Sequence, residues 1–123
     1  MAIESNYEAI LEKLIDQTKI YGASLNTTDG LPIISVFKNH KTIEDAFISA
    51  LSSAMTMQSE KVISEFGCGA LHNCKIQGDD GQVLLWKVGK SKILLVLAPK
   101  SISQAILHLG IKNSIRSLEK VNM

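Results

Sequence analysis

The sequence predicts an α+β domain, a five-stranded and mainly antiparallel sheet with helices on its faces. Three observations lead there. Apolar residues recur at helical spacing around residues 7–15, 46–66 and 102–121. Short strand-like runs are separated by glycine-centred turns, Asp29-Gly30 and the Gly-Asp-Asp-Gly of residues 78–81. The resulting order, α-β-β-α-β-β-β-α, does not alternate strictly between strand and helix, which argues against a parallel sheet.

The first helix opens on Ser5-Asn6-Tyr7-Glu8, which fits a capping box with Ser5 as N-cap. Tyr7, Ile10, Leu11, Leu14 and Ile15 then make one apolar face, and the helix should fade near Lys19, before Gly22. A hairpin follows, with Tyr21 to Thr27 as one strand and Leu31 to Phe37 as the other. Pro32 cannot donate to a ladder, so the second strand is expected at an outer edge.

Thr42 is the N-cap candidate of the second helix, with Glu44 and Asp45 in its first turn. This helix could run to Phe66 and stop at Gly67. Plotted at about 100° per residue, it shows two apolar stripes. Phe47, Ile48, Leu51, Met55, Val62 and Phe66 form a bulky stripe suited to a core. Ala46, Ala50, Ser53, Ala54 and Met57 form an adjacent stripe of mostly small residues, unexpected in a helix that only covers a sheet.

Three strands come next, "ALHNCKI" at 70–76, "QVLLWKV" at 82–88 and "ILLVLA" at 93–98. The last is apolar on both faces and should be central. The first is the most polar and suits an edge. In the tail, Ile102, Ala105, Ile106 and Leu109 make one stripe, and Ile111, Ile115, Leu118 and Val121 another. The stripes are out of phase across Gly110, which predicts a break or kink there: a short helical turn, then a final helix. No repeat or linker interrupts residues 1–123, which read as a single domain.

Bulk properties exclude several functions. Twelve lysines and one arginine against 12 acidic residues leave a formal net charge of +1, which gives no electrostatic reason to expect nucleic acid. The start lacks the basic region of a signal peptide, and no apolar run is long enough to span a bilayer, so a cytoplasmic chain without membrane insertion is expected. Cys68 and Cys74 then read as free thiols. Cys68, His72 and Cys74 supply only three candidate metal ligands, and neither His40 nor His108 has a reason to join them, so no metal is expected. The Asp79-Asp80-Gly81 stretch reads as a turn rather than a phosphate loop. No nucleotide-binding glycine motif, zinc-hydrolase motif or nucleophile elbow is present, and no cofactor or enzymatic activity is expected. Trp86 reads as a core residue with its indole N–H bonded at the rim. Met55 reads as core and Met57 as an interface residue.

The chain resembles the roadblock family of dynein light-chain-like proteins. "DGLPI" at 29–33, the Ala/Ser-rich helix at 46–57, "GDDGQVLL" at 78–85 and "HLGI" at 108–111 carry the resemblance, and their order and spacing cover nearly the whole sequence. It implies the roadblock/profilin-like fold, and a homodimer or a heterodimer with another roadblock protein through the second helix and the edge strand. On that basis the interface would use Ala46, Ala50, Ser53, Ala54, Met57, Leu71, Asn73 and Lys75. The resemblance further implies a scaffold or regulator of a small Ras-like GTPase. A structural adaptor without a GTPase and a profilin-like ligand-binding module are the alternatives. Two departures stand out: "KSISQAIL" before the "LG" pair is a longer connection than the family usually has, and the tail is poor in arginine. The sole Arg116 falls in the final helix, a poor position for an arginine finger, so any stimulation of GTP hydrolysis should use the partner's own groups.

Overall fold

The computed structural model describes residues 2–38 and 43–121. Its elements are α1 (Ala2–Thr18), β1 (Gly22–Thr27), β2 (Pro32–Phe37), α2 (Asp45–Glu65), β3 (Asn73–Gln77), β4 (Gly81–Val88), β5 (Lys92–Pro99) and α3 (Gln104–Lys120). The five strands form one sheet in the order β2-β1-β5-β4-β3, and every neighbouring pair is antiparallel. The expected element order is therefore the observed one.

Side-chain alternation divides the sheet into two faces. Ala23, Leu25, Leu84, Trp86, Val88, Leu94, Val96 and Ala98 point toward α1 and α3 and form the main core with Leu11, Leu14, Leu107, Ile111 and Leu118. Burying each of these large side chains stabilises the fold by about 1.5–3 kcal/mol. The central strand β5 is apolar on both faces, as its sequence predicts. The opposite face carries α2, which lies over β1 and β2 and leaves much of β3, β4 and β5 uncovered.

The first hairpin forms as expected. Gly30 takes φ of 97° in the turn, and the hydroxyl of Thr27 binds the Asp29 carboxylate. Pro32 is the first residue of β2, which is an outer strand, and the register slips between Leu25 and Asn26 where Asn26 faces Pro32.

Several boundaries and faces differ from expectation. α1 already begins at Ala2, so Ser5 lies inside the helix and not at its N-cap position. Thr42 and His40 lie outside the described residues; the residue at the cap of α2 is Glu44, which makes no side-chain cap bond. The strand predicted at 70–76 is shorter and later, Asn73–Gln77.

The bulky stripe of α2 is not a core stripe. Ile48 is buried and Met55 half-buried, but Phe47, Leu51, Val62 and Phe66 are exposed. The helix turns Ile48, Ser49, Ser52 and Thr56 inward instead. The reason lies beneath it: β1 and β2 present Ser24, Asn26 and Ser35, a polar strip that small polar helix residues match.

α3 does not break at Gly110. It is one helix, capped by Ser103, whose hydroxyl accepts from the Ile106 N–H at 3.3 Å. Its buried line is Leu107, Gly110, Ile111, Ser114 and Leu118, while Ile106 and Leu109 face outward. Gly110 is where α1 comes closest; a β-carbon there would lie 2.5 Å from Cγ2 of Thr18. The apparent phase jump arose because the first stripe took in Ala105, Ile106 and Leu109, all exposed, and left out the buried Leu107.

Candidate partner interface

The site grows from the way α2 is seated. Ser24 Oγ lies 3.3 Å from Asn26 Oδ1 and 2.7 Å from Ser35 Oγ. Ser53 Oγ donates to the Thr28 carbonyl at 2.7 Å, and Ser49 Oγ donates back to the Ala46 carbonyl at 3.0 Å. Asn26 Nδ2 and Ser52 Oγ are buried and have no partner among the described residues. The Ser53 bond to Thr28 thus ties α2 to the hairpin, and the helix turns small polar residues inward, which leaves Phe47, Leu51, Val62 and Phe66 exposed. Its far half is tethered by Lys87 Nζ, 2.8 Å from Glu60 Oε2. Exposed pairs of this kind contribute about 1 kcal/mol or less.

The outward surface of α2 presents Ala46, Ala50, Ala54 and Met57, all exposed. Ser53 is half-buried against the hairpin. Beside the small residues stand Phe47, 58% exposed, and Leu51, 46% exposed. A groove of about 220 Å³ runs between this flank and the sheet, lined by Phe37, Ile43, Phe47, Leu51 and Met55 on one side and Ile76, Val83, Leu85, Leu95 and Leu97 on the other. Gly22 helps to shape it: Phe37 lies across that residue, and a β-carbon there would run into the ring.

The edge strand divides the remaining expected interface residues. Asn73 and Lys75 are exposed on β3, and Lys75 Nζ bonds Gln104 Oε1 of α3 at 3.2 Å. They therefore point to the α3 side, whereas Ile76 points to the α2 groove. Leu71 precedes β3 and is half-buried beside Trp86, away from the groove. The structure thus brings Ala46, Ala50, Ala54 and Met57 onto one surface, and places Leu71, Asn73 and Lys75 on another side of the sheet. The sequence reading missed Phe37, Phe47, Leu51, Ile76, Leu95 and Leu97 as a joint apolar surface. One signal was available: β5 and β4 carry more apolar residues on the α2 side than a helix bearing serines inward can cover.

Trp86 is buried and packs edge-on against His108 of α3, ring centroids 5.2 Å apart. Its indole N–H finds no acceptor among the described residues, so the expected rim hydrogen bond is not made. Cys68 is exposed and Cys74 half-buried, and among the described residues no group of three or more His, Cys, Asp or Glu side chains is placed to hold a metal. Among the described residues no helix is long and apolar enough to cross a membrane.

An antiparallel five-stranded sheet of this order, with two helices on one face and a partly bare apolar face beneath a third, defines the class. Residues 6–98 match the Roadblock/LC7 domain model, and the chain belongs to that family. It is 26% identical over 114 residues to the uncharacterised protein MJ1340 of Methanocaldococcus jannaschii, covering 93% of this chain and 95% of that one. Its fold is similar to that of the gliding protein MglB from Thermus thermophilus, with a TM-score of 0.89 at 14% identity over 98% of this chain and 91% of that one. It is equally similar to an MglB structure described as having a tetrameric arrangement, with a TM-score of 0.90 at 14% identity over 98% and 90% of the two chains.

Proposed function

We propose that the chain is a non-enzymatic, dimeric scaffold of the cytoplasm that binds a small Ras-like GTPase and modulates its nucleotide cycle or its location. One observation carries the dimer: the apolar surface formed by α2 and the uncovered side of β3, β4 and β5. Phe47 and Leu51 stand out from the helix beside a groove whose sheet wall is entirely apolar. Exposed apolar surface of this extent marks an interaction site. The partner copy would lay its own α2 against Ala46, Ala50 and Ala54, where small side chains permit close backbone approach. The edge of β3 would meet its twin, joining two sheets into one. Ile76 extends the apolar contact on that edge, and Asn73 and Lys75 lie at its α3-side margin.

The GTPase as partner rests on membership of the roadblock family, and it gives the scaffold its use. Arg116 lies inside α3 and not on an exposed loop, a poor position from which to insert an arginine finger. Any effect on hydrolysis would come from ordering the GTPase's own groups.

The test is affinity capture with the chain as bait from native lysate, loaded with GDP or with a non-hydrolysable GTP analogue. Wild-type protein should recover a Ras-like GTPase in a nucleotide-dependent way. Ala50→Arg should abolish both recovery and dimerisation, because a charge forced into a close helix contact without a partner costs several kcal/mol. Nucleotide-independent recovery of other proteins would replace the regulator with an adaptor. An Ala50→Arg protein that remains dimeric by light scattering would remove α2 from the interface.

A further inference from the structure

The other side of the sheet carries a second surface, of different chemistry. Lys112, Arg116 and Lys120 follow one another at intervals of four along the exposed side of α3, so they form a single line on the helix. None of the three makes an ion pair among the described residues. A cavity of about 570 Å³ opens along one flank of this line, between α3, the end of β4 and the segment before β3. Leu71, Trp86 and Ile115 give it an apolar lining, and Lys112 and Arg116 stand over it. A shallower cleft of about 270 Å³ runs along the other flank, between α3 and α1, where Lys13 adds a further cation beside Arg116 and Lys120. Glu119 is the one acidic residue among those lining the two.

We propose that this face docks an acidic segment of a partner protein, with its carboxylates along Lys112, Arg116 and Lys120 and one apolar side chain in the Trp86 cavity. Charge complementarity selects the occupant. The chain as a whole is close to neutral, at +1, so the unpaired cations of α3 are a local feature and not part of a general basic surface. The cations span about 12 Å of helix axis, the reach of two turns of an acidic helix or of roughly four residues of extended chain. A bilayer of anionic lipid would answer the charge but not the shape, since a flat surface leaves a concave cavity unfilled. A polypeptide segment answers both. The cavity falls within the size range that holds a bound group. Trp86 supplies its most distinctive element, a buried indole whose N–H has no acceptor among the described residues. This face lies across the sheet from the α2 groove, and of the expected interface residues only Leu71 lines its cavity.

The experiment uses the full chain labelled with ¹⁵N. Because the protein has one tryptophan, its spectrum holds one indole N–H signal, and that signal reports on the cavity. The probe is a glutamate-rich peptide with leucines at helical spacing. Its addition should shift the Trp86 indole resonance, and binding should weaken as salt is raised. The double variant Lys112→Glu/Lys120→Glu should bind on the order of tenfold or more weakly, from reversal of two exposed charges. Circular dichroism and light scattering of that variant should match the wild type, since both side chains are exposed. Absence of peptide binding, an unmoved indole signal, or equal affinity in the double variant would overturn the proposal. Binding to phosphatidylserine vesicles with no response to the peptide would overturn it in favour of a membrane surface.

Discussion

Gly110 shows how one missing β-carbon sets the distance between two helices. It faces Thr18 and Leu14 of α1, and Thr18 is itself held in place by its hydroxyl, which donates to the Leu14 carbonyl at 2.6 Å. Gly110→Ala would gain about 1 kcal/mol of helix propensity. It would also force a methyl group within 2.5 Å of a buried threonine that has little room to yield, and overpacking of that kind costs about 1–3 kcal/mol. The expected outcome is a net loss of about 1 kcal/mol, read as a lower urea midpoint with an unchanged slope. A stabilised variant would mean that the helices do not meet so closely. The glycine was visible in the sequence, but its meaning was not. Glycine in an apolar helical pattern signals either a break or a close approach, and only the burial of Leu107 and the exposure of Leu109 decide between them.

α2 gives the same lesson for a whole helix. Its apolar periodicity was legible and its helical state was correct, yet four of the six residues of the stripe assigned to the core face outward. Periodicity reports that a face is to be covered. It does not report whether the cover belongs to the same chain. The small polar residues Ser49, Ser52 and Thr56 were the better guide to the inner face, because they lie on the side of the strip of Ser24, Asn26 and Ser35, but that strip can be recognised only once β1 and β2 are paired. The prediction concerns stability as opposed to association. Phe47→Ser with Leu51→Ser should change the unfolding free energy of dilute protein by less than about 1 kcal/mol, since both side chains are exposed in the single chain. The same pair should lose self-association by analytical ultracentrifugation. A loss of several kcal/mol in the dilute protein would return these residues to the intramolecular core.

The architecture of the entire chain was the most legible part. Asp-Gly and Gly-Asp-Asp-Gly turns fix two of the three hairpins, the doubly apolar "ILLVLA" marks the central strand, and Pro32 marks an edge. The family resemblance rests on the same two turns, with the Ala/Ser-rich helix at 46–57 and "HLGI" at 108–111. The side of the sheet to which each edge residue points was beyond the sequence, because the strand drawn at 70–76 begins only at Asn73, which leaves Leu71 outside it. If a second copy covers the bare apolar side, folding and association are linked, and the melting temperature should rise with protein concentration. Thermal scans over a hundredfold range of concentration check this, and a constant melting temperature would count against the dimer.

Pro32 and the slipped register beside it have a consequence for growth. A sheet with two receptive borders could add copies without end and become a fibre. Here one border, β3, pairs in unbroken register with β4, while the other, β2, begins with a residue that has no N–H to offer and carries an extra residue, Ile33, between Pro32 and Ile34. Joining two copies at β3 uses up the receptive border and leaves only the blunted one at either end. If copies pair at β3 as proposed, assembly closes at two, and a single imino acid near the start of the second strand sets that limit.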